Sequence, residues 1–231
     1  RYREYENEEV EAETVVREIE FHVRNQRAEA NDYAILFRTN EQPRAFEFQL
    51  RRFKVPYVLL GERSFFDNKE CRDLMAYLRI ISQPLDEQSL LRIINTPARN
   101  ISDASVEKIL AKAVQAKVRF WDAVPELRDA KEITPKAAAA VESFEQLLAD
   151  FRRRFDEAPK RMAETFHDLL ETIDYDNEIL RSYKTPEQQM VRQGIVEQVM
   201  EMLQQYAANS DEPTLAGFLD ETALSGRDDE P

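Results

Sequence analysis

Only two short apolar runs in this chain read as strands, Tyr33–Phe37 and Pro56–Leu60, and both fall within the first 60 residues. Neither alternates apolar with polar, the pattern of a strand covered on both faces in a parallel sheet. Between them, Glu41 to Phe53 carries Phe46, Leu50 and Phe53 at helical spacing. Strand, helix and strand within 30 residues amount to one βαβ unit. A single unit is too small to stand as a sheet domain, so its remaining strands are expected from elsewhere in a longer chain or from a partner.

After Gly61 every periodic segment is helical. Asn68 to Ile81 carries Leu74, Tyr77, Leu78 and Ile81, and Val106, Ile109, Leu110 and Ala113 follow a cap at Ser102 or Asp103. Thr134-Pro135 opens a helix with the seam Val141, Phe144, Leu148, Phe151 and Phe155. Thr185-Pro186-Glu187-Gln188 opens another, with the stripe Val191, Ile195, Val199, Met202 and Tyr206. Glu8 to Arg24 reads as a helix ahead of the first run. The expected fold class is therefore mostly α: a partial α/β (βαβ) segment over residues 1–60, then an all-helical domain over 61–231.

Several functions are excluded by composition. The four glycines, Gly61, Gly194, Gly217 and Gly226, fit no phosphate-cradling loop. Their scarcity also predicts few backbone positions with positive φ. Lys and Arg number 32 against 45 Asp and Glu, a net charge of -13, which opposes a simple nucleic-acid-binding domain. One local basic patch remains: Arg38, Arg44, Arg51, Arg52 and Lys54 against Glu41 and Glu47. His22 and His167 have no Cys or His at ligand spacing, so no metal is expected. The lone Cys71 rules out a disulfide within the chain and fits a reducing compartment. No run suits a membrane span, the Arg1-Tyr-Arg-Glu-Tyr-Glu start does not read as a signal peptide, and a cytoplasmic location is expected.

Ala34-Ile-Leu-Phe-Arg-Thr-Asn-Glu-Gln-Pro-Arg44, Val55-Pro-Tyr57, Arg63-Ser-Phe-Phe-Asp-Asn-Lys-Glu70, Asp73-Leu-Met-Ala-Tyr-Leu-Arg79 and Leu91-Arg-Ile-Ile-Asn-Thr-Pro-Ala-Arg99 follow one another in order. Together they resemble the region of UvrD/Rep/PcrA-type DNA helicases where motor subdomain 2A meets its inserted subdomain 2B. The resemblance implies the first part of 2A up to about Leu60 and the 2B insertion from Gly61, which would act as a hinge. It implies a parent that unwinds DNA 3′ to 5′ using ATP and Mg2+. The fragment itself, without the ATP site, is expected to be inactive and to hold no cofactor. Two departures stand out: the family's Gly-Ile-Gly hairpin is here Asn100-Ile101-Ser102, and its Gly-Gly before the aromatic pair is Gly61-Glu62.

Arg38, Thr39 and Asn40 sit where a strand end would place binding groups, and the resemblance gives them single-strand backbone contacts, with Gln42 and Arg44 on the following helical turn. Thr39 or Asn40 could instead cap that helix, and Arg38 or Arg44 could pair with a carboxylate. Thr96, Arg99 and Asn100 lie in the 96–103 hairpin, which the resemblance places against duplex DNA. Further expected partners are the remainder of the helicase chain and a regulatory protein on the 2B surface. The rival reading is an acidic helical protein-interaction module with no DNA contact. Phe65, Phe66 and Trp121 read as core, and Arg152-Arg153-Arg154 as a solvated face.

Overall fold

Helix signals in this sequence sit where capping residues precede apolar stripes, and the structure follows them. A computed structural model describes residues 2–39, 42–60 and 64–223. It contains α1 (Glu8–Arg24), α2 (Pro43–Arg52), α3 (Lys69–Ser82), α4 (Glu87–Ile93), α5 (Asp103–Ala116), α6 (Val124–Asp129), α7 (Pro135–Glu157), α8 (Met162–Thr172), α9 (Tyr175–Ser182), α10 (Pro186–Asn209) and α11 (Leu215–Thr222). Asn7, Asp86, Ser102, Thr134 and Thr185 each accept a first-turn amide through the side chain, which satisfies donors that the helix itself leaves unpaired.

The expected βαβ unit is absent. Of the described residues 71% are helical, and no strand forms among them. Residues 33–37 and 55–60 run outside regular structure, with alternate side chains turned inward. Tyr33, Ile35, Phe37, Val55 and Tyr57 pack with Ala12, Val16, Ile19, Phe46 and Leu50 from α1 and α2. The opposite side chains stand bare: Leu36 is 91% exposed, Val58 83% and Leu60 86%. Composition gave the two runs strand character, but a ladder needs a second backbone at pairing distance, which neither run supplies to the other. Pro56 also removes one donor. The two runs line an open groove of about 700 Å³.

The scarcity of glycine does not spare the chain positive φ. Gln26, Lys54, Asn100, Lys117, Lys131 and Asp174 all adopt left-handed values between 54° and 59°. Lys54 follows the end of α2, with Val55 N–H bonded to the Leu50 carbonyl at 2.8 Å and Lys54 N–H to Arg51 at 2.9 Å, a Schellman closure without glycine.

Two compact units result. One comprises the chain through Asn68 together with the part from Gly217 on; the other is Lys69–Ala216. In the second unit, α3 packs against α4, α7 and α10. Leu74, Tyr77, Leu78 and Ile81 on α3 are fully buried, as are Val141 on α7 and Val199 on α10.

Candidate nucleic-acid interface

The turn before α2 is built by Gln42. Its Oε1 accepts from the backbone N–H of Arg38 at 2.9 Å and of Thr39 at 3.4 Å, folding the chain onto the helix start. Pro43 occupies the first helical position, and among the described residues no side chain caps the helix. Arg38 and Thr39 are exposed and Arg44 is half-buried. Among the described residues no carboxylate pairs with Arg38 or Arg44. A helix start beside two arginines has the chemistry to receive an anion, through the helix dipole and forked donors. Asn40 and Gly61 lie outside the described residues.

The other arginines of this patch are engaged internally. Arg51 Nε donates to Tyr57 Oη at 3.1 Å, and its guanidinium lies 3.7 Å from the centre of the Phe66 ring. Arg52 pairs with Glu221 at 3.5 Å and Glu13 at 3.9 Å. Glu47, only 3% exposed, accepts from Tyr57 Oη at 3.0 Å, Ser64 Oγ at 2.6 Å and Phe65 N–H at 3.1 Å. Burial first, and the Glu47 charge second, push the Tyr57 phenol up to about 12. Glu47, set by sequence against the basic patch, lies four residues after Pro43 and three before Leu50, and this spacing was the available sign that it turns inward.

In the second unit, the 96–103 turn is braced from within. Arg99 donates to the carbonyls of Ile93 at 2.8 Å, Ile94 at 3.2 Å and Pro97 at 3.2 Å, and to Tyr77 Oη. Its guanidinium also stacks 3.9 Å from the centre of Phe144. Tyr77 Oη in turn donates to the Thr96 carbonyl at 2.6 Å, and burial pushes that phenol up to about 12. Asn100 takes a left-handed φ of 59° and is exposed, while Ser102 is extended and caps α5. The side chain of Asn95 bonds both the N–H and the carbonyl of Ile101. The turn therefore presents Ala98 and Asn100 outward and keeps Arg99 inward.

The model for the UvrD-like helicase C-terminal domain matches residues 1–230. The chain belongs to this family. Curated relatives include the ATP-dependent DNA helicase PcrA of Bacillus subtilis, 32% identical over 84% of this chain and 26% of its own length. The ATP-dependent DNA helicase Rep of Escherichia coli is 32% identical over 90% of the chain and 31% of its own. PcrA of Staphylococcus aureus is 34% identical over 99% of the chain and 31% of its own. The chain thus spans about a quarter to a third of these relatives.

In this UvrD-like C-terminal domain, some cations of the helical unit hold helix ends. Arg152, read from sequence as part of a solvated face, donates to the Ile80 carbonyl at 3.2 Å and the Ile81 carbonyl at 2.6 Å. Lys160 donates to the carbonyls of Ala207 at 3.2 Å and Ser210 at 2.6 Å. Glu70 and Asp73, both 2% exposed on α3, draw further cations inward: Arg192 lies 3.5 Å from Glu70, and Arg92 and Lys69 lie 2.8 and 3.3 Å from Asp73. Desolvation outweighs those cations and raises the Asp73 carboxyl above its ordinary range. Sequence pattern gave no sign of this network. No cluster of three potential metal ligands occurs among the described residues, and no described helix is long and apolar enough to cross a membrane.

Proposed function

We propose that this chain serves an ATP-dependent DNA helicase, with its first unit touching the backbone of single-stranded DNA through the 38–44 turn. Arg38, Thr39, Asn40, Gln42 and Arg44 are the residues concerned: Arg38 and Arg44 as phosphate donors, Thr39 and Asn40 as neutral donors, and Gln42 as the residue that shapes the turn. One observation carries this reading. Arg38 and Arg44 lack a described carboxylate partner, whereas Arg51 and Arg52 are engaged within the unit. The residues before Gly61 correspond in this reading to 2A and those after it to 2B, with Gly61 as hinge. ATP and Mg2+ belong to the rest of the parent, because no glycine pair here fits a phosphate loop. The remainder of the parent also covers the bare apolar side of Leu36, Val58 and Leu60.

In the helical unit, Thr96 and Asn100 offer duplex DNA the outer edge of the turn that Arg99 braces. The acidic balance of the sequence, 45 Asp and Glu against 32 Lys and Arg, favours a second role for that unit as a protein-docking arm. Binding of a labelled oligothymidylate by the 231-residue chain tests the first reading. Arg38→Ala with Arg44→Ala should weaken binding at low salt. Equal affinity of the wild type and the double variant would leave the protein-interaction module as the better account.

A further inference from the structure

Helix α3 carries three buried polar side chains on one face, Glu70, Asp73 and Tyr77, at steps of three and four. Asp73 receives Arg92 Nε from the last turn of α4 at 2.8 Å and Lys69 Nζ at 3.3 Å. Tyr77, one turn further along, takes Arg99 and donates to the Thr96 carbonyl at 2.6 Å. The Arg92 side chain also donates to the Lys69 carbonyl at 3.4 Å. Arg92 and Arg99 therefore fasten α4 and the 96–103 turn to successive turns of α3.

Stability does not account for the Asp73–Arg92 pair. Desolvation of the buried carboxylate outweighs the attraction of both cations. A buried ion pair is often no better for stability than apolar side chains of similar volume. What it adds is direction. Helix α4 has seven residues, about two turns, too short to hold its own geometry. Its buried Leu90 and Ile93 make non-directional contacts, whereas the Arg92 contact fixes one register on α3. That register reaches the turn directly. Thr96 N–H donates to the Ile93 carbonyl of α4 at 3.0 Å, while the Thr96 carbonyl is held by Tyr77 of α3.

We propose that Asp73 and Arg92 are positioning residues for duplex contact at the 96–103 turn: their pair sets the register of α4 on α3, and so the places of Thr96 and Asn100. The positioning role rests on the duplex reading of that turn, whereas the register rests on the contacts above. Neither residue touches DNA in this arrangement. Arg92 is turned to Asp73 and to the Lys69 carbonyl, and Asp73 is closed to solvent.

Binding of a labelled DNA duplex by the full 231-residue chain at several salt concentrations, with a melt and amide exchange by mass spectrometry, tests this. Arg92→Met leaves the buried carboxylate with Lys69 alone and should lower the melting point. Asp73→Leu combined with Arg92→Met removes the pair and should restore most of the loss. The double variant should still bind duplex about threefold or more weakly, with the wild-type salt slope, because the lost interaction lies within the protein. Its 94–102 segment should exchange faster, with the α7 seam as slow as in the wild type. Arg92→Lys keeps the charge but not the fork, should fall between, and carries the comparison if the double variant does not fold. Wild-type affinity in the folded double variant would overturn the positioning role. So would a slope reduced by about 0.9, the mark of a phosphate contact made by Arg92 itself. A wild-type chain that binds no duplex would overturn the duplex reading and the positioning role together, while exchange at 94–102 would still decide the register.

Discussion

Replacing Arg99 with alanine removes four hydrogen bonds and a cation–aromatic stack at once. Not all of that is lost stability. Tyr77 Oη still donates to the Thr96 carbonyl, and the Ile93 carbonyl keeps the Thr96 N–H at 3.0 Å. The Ile94 and Pro97 carbonyls lose this donor. A hydrogen bond from a charged donor contributes roughly 1.5–3 kcal/mol, and a half-buried cation over a ring about 1 kcal/mol. With water replacing part of this at a half-buried site, the expected loss is about 3–4 kcal/mol. At about 2–4 °C per kcal/mol for a chain of this size, Tm should fall by roughly 6–16 °C. Arg99→Lys keeps the charge but not the fork and should fall between. Trp121 is the only tryptophan and lies 6.1 Å from Phe144, ring centre to ring centre, so its fluorescence follows unfolding at this site. A wild-type melt in Arg99→Ala, together with weakened duplex binding, would refute the inward brace and make Arg99 a phosphate contact.

Two further outcomes are expected. Burial pushes the phenols of Tyr57, Tyr77 and Tyr183 up to about 12, so folding holds them neutral beyond the ordinary tyrosine pKa of about 10. Each folded pKa lies above its unfolded value, so the stability linked to these groups is complete below about pH 10 and disappears as pH rises through 12. Tyrosinate absorbance of the folded chain should show a late-titrating class, and full ionisation near pH 10 without unfolding would contradict it. Lys117 and Lys131 hold left-handed φ values of 55° and 57° that favour glycine. Lys117→Gly or Lys131→Gly should therefore stabilise the chain by about 0.5–1 kcal/mol in a denaturant titration, and a loss of stability would show that these side chains do more than bear strain.

Helices were legible where periodicity and caps agreed. The seam of α7 is buried along its whole length, from Val141 to Phe155. The stripe of α10 is buried from Ile195 to Tyr206, but Val191 is 57% exposed, because periodicity marks a face and not how far neighbouring helices extend to cover it. The two apolar runs read as strands of a parallel sheet, but the structure has them as irregular segments that pack one side on α1 and α2. Whether they pair was not legible, since a ladder is a property of two backbones and only one run's sequence is read at a time. The left-handed helix ends at Gln26, Lys54, Lys117 and Lys131 were hidden because no glycine marks them. Arg38 and Arg99 look alike as strand-end and turn arginines, yet one is exposed and the other caps the end of α4. Residue type fixes what a guanidinium can bond, and the surrounding carbonyls decide which way it points. Glu47 and Glu70 differ in the same way from the solvated glutamates of α1.

The central claim, that the 38–44 turn touches the phosphate backbone of single-stranded DNA, is tested most directly by the salt dependence of binding. The parent helicase and its Arg38→Ala variant are titrated with a labelled single-stranded oligonucleotide at several salt concentrations, with Arg99→Ala as the comparison. Loss of one phosphate contact should reduce the slope of log K against log salt by about 0.7 and lower unwinding, while the variant's melting stays that of the wild type. Arg99→Ala should leave the slope for single-stranded DNA unchanged. An identical slope for Arg38→Ala, accompanied by a lower melting point, would make Arg38 a structural residue and contradict the account.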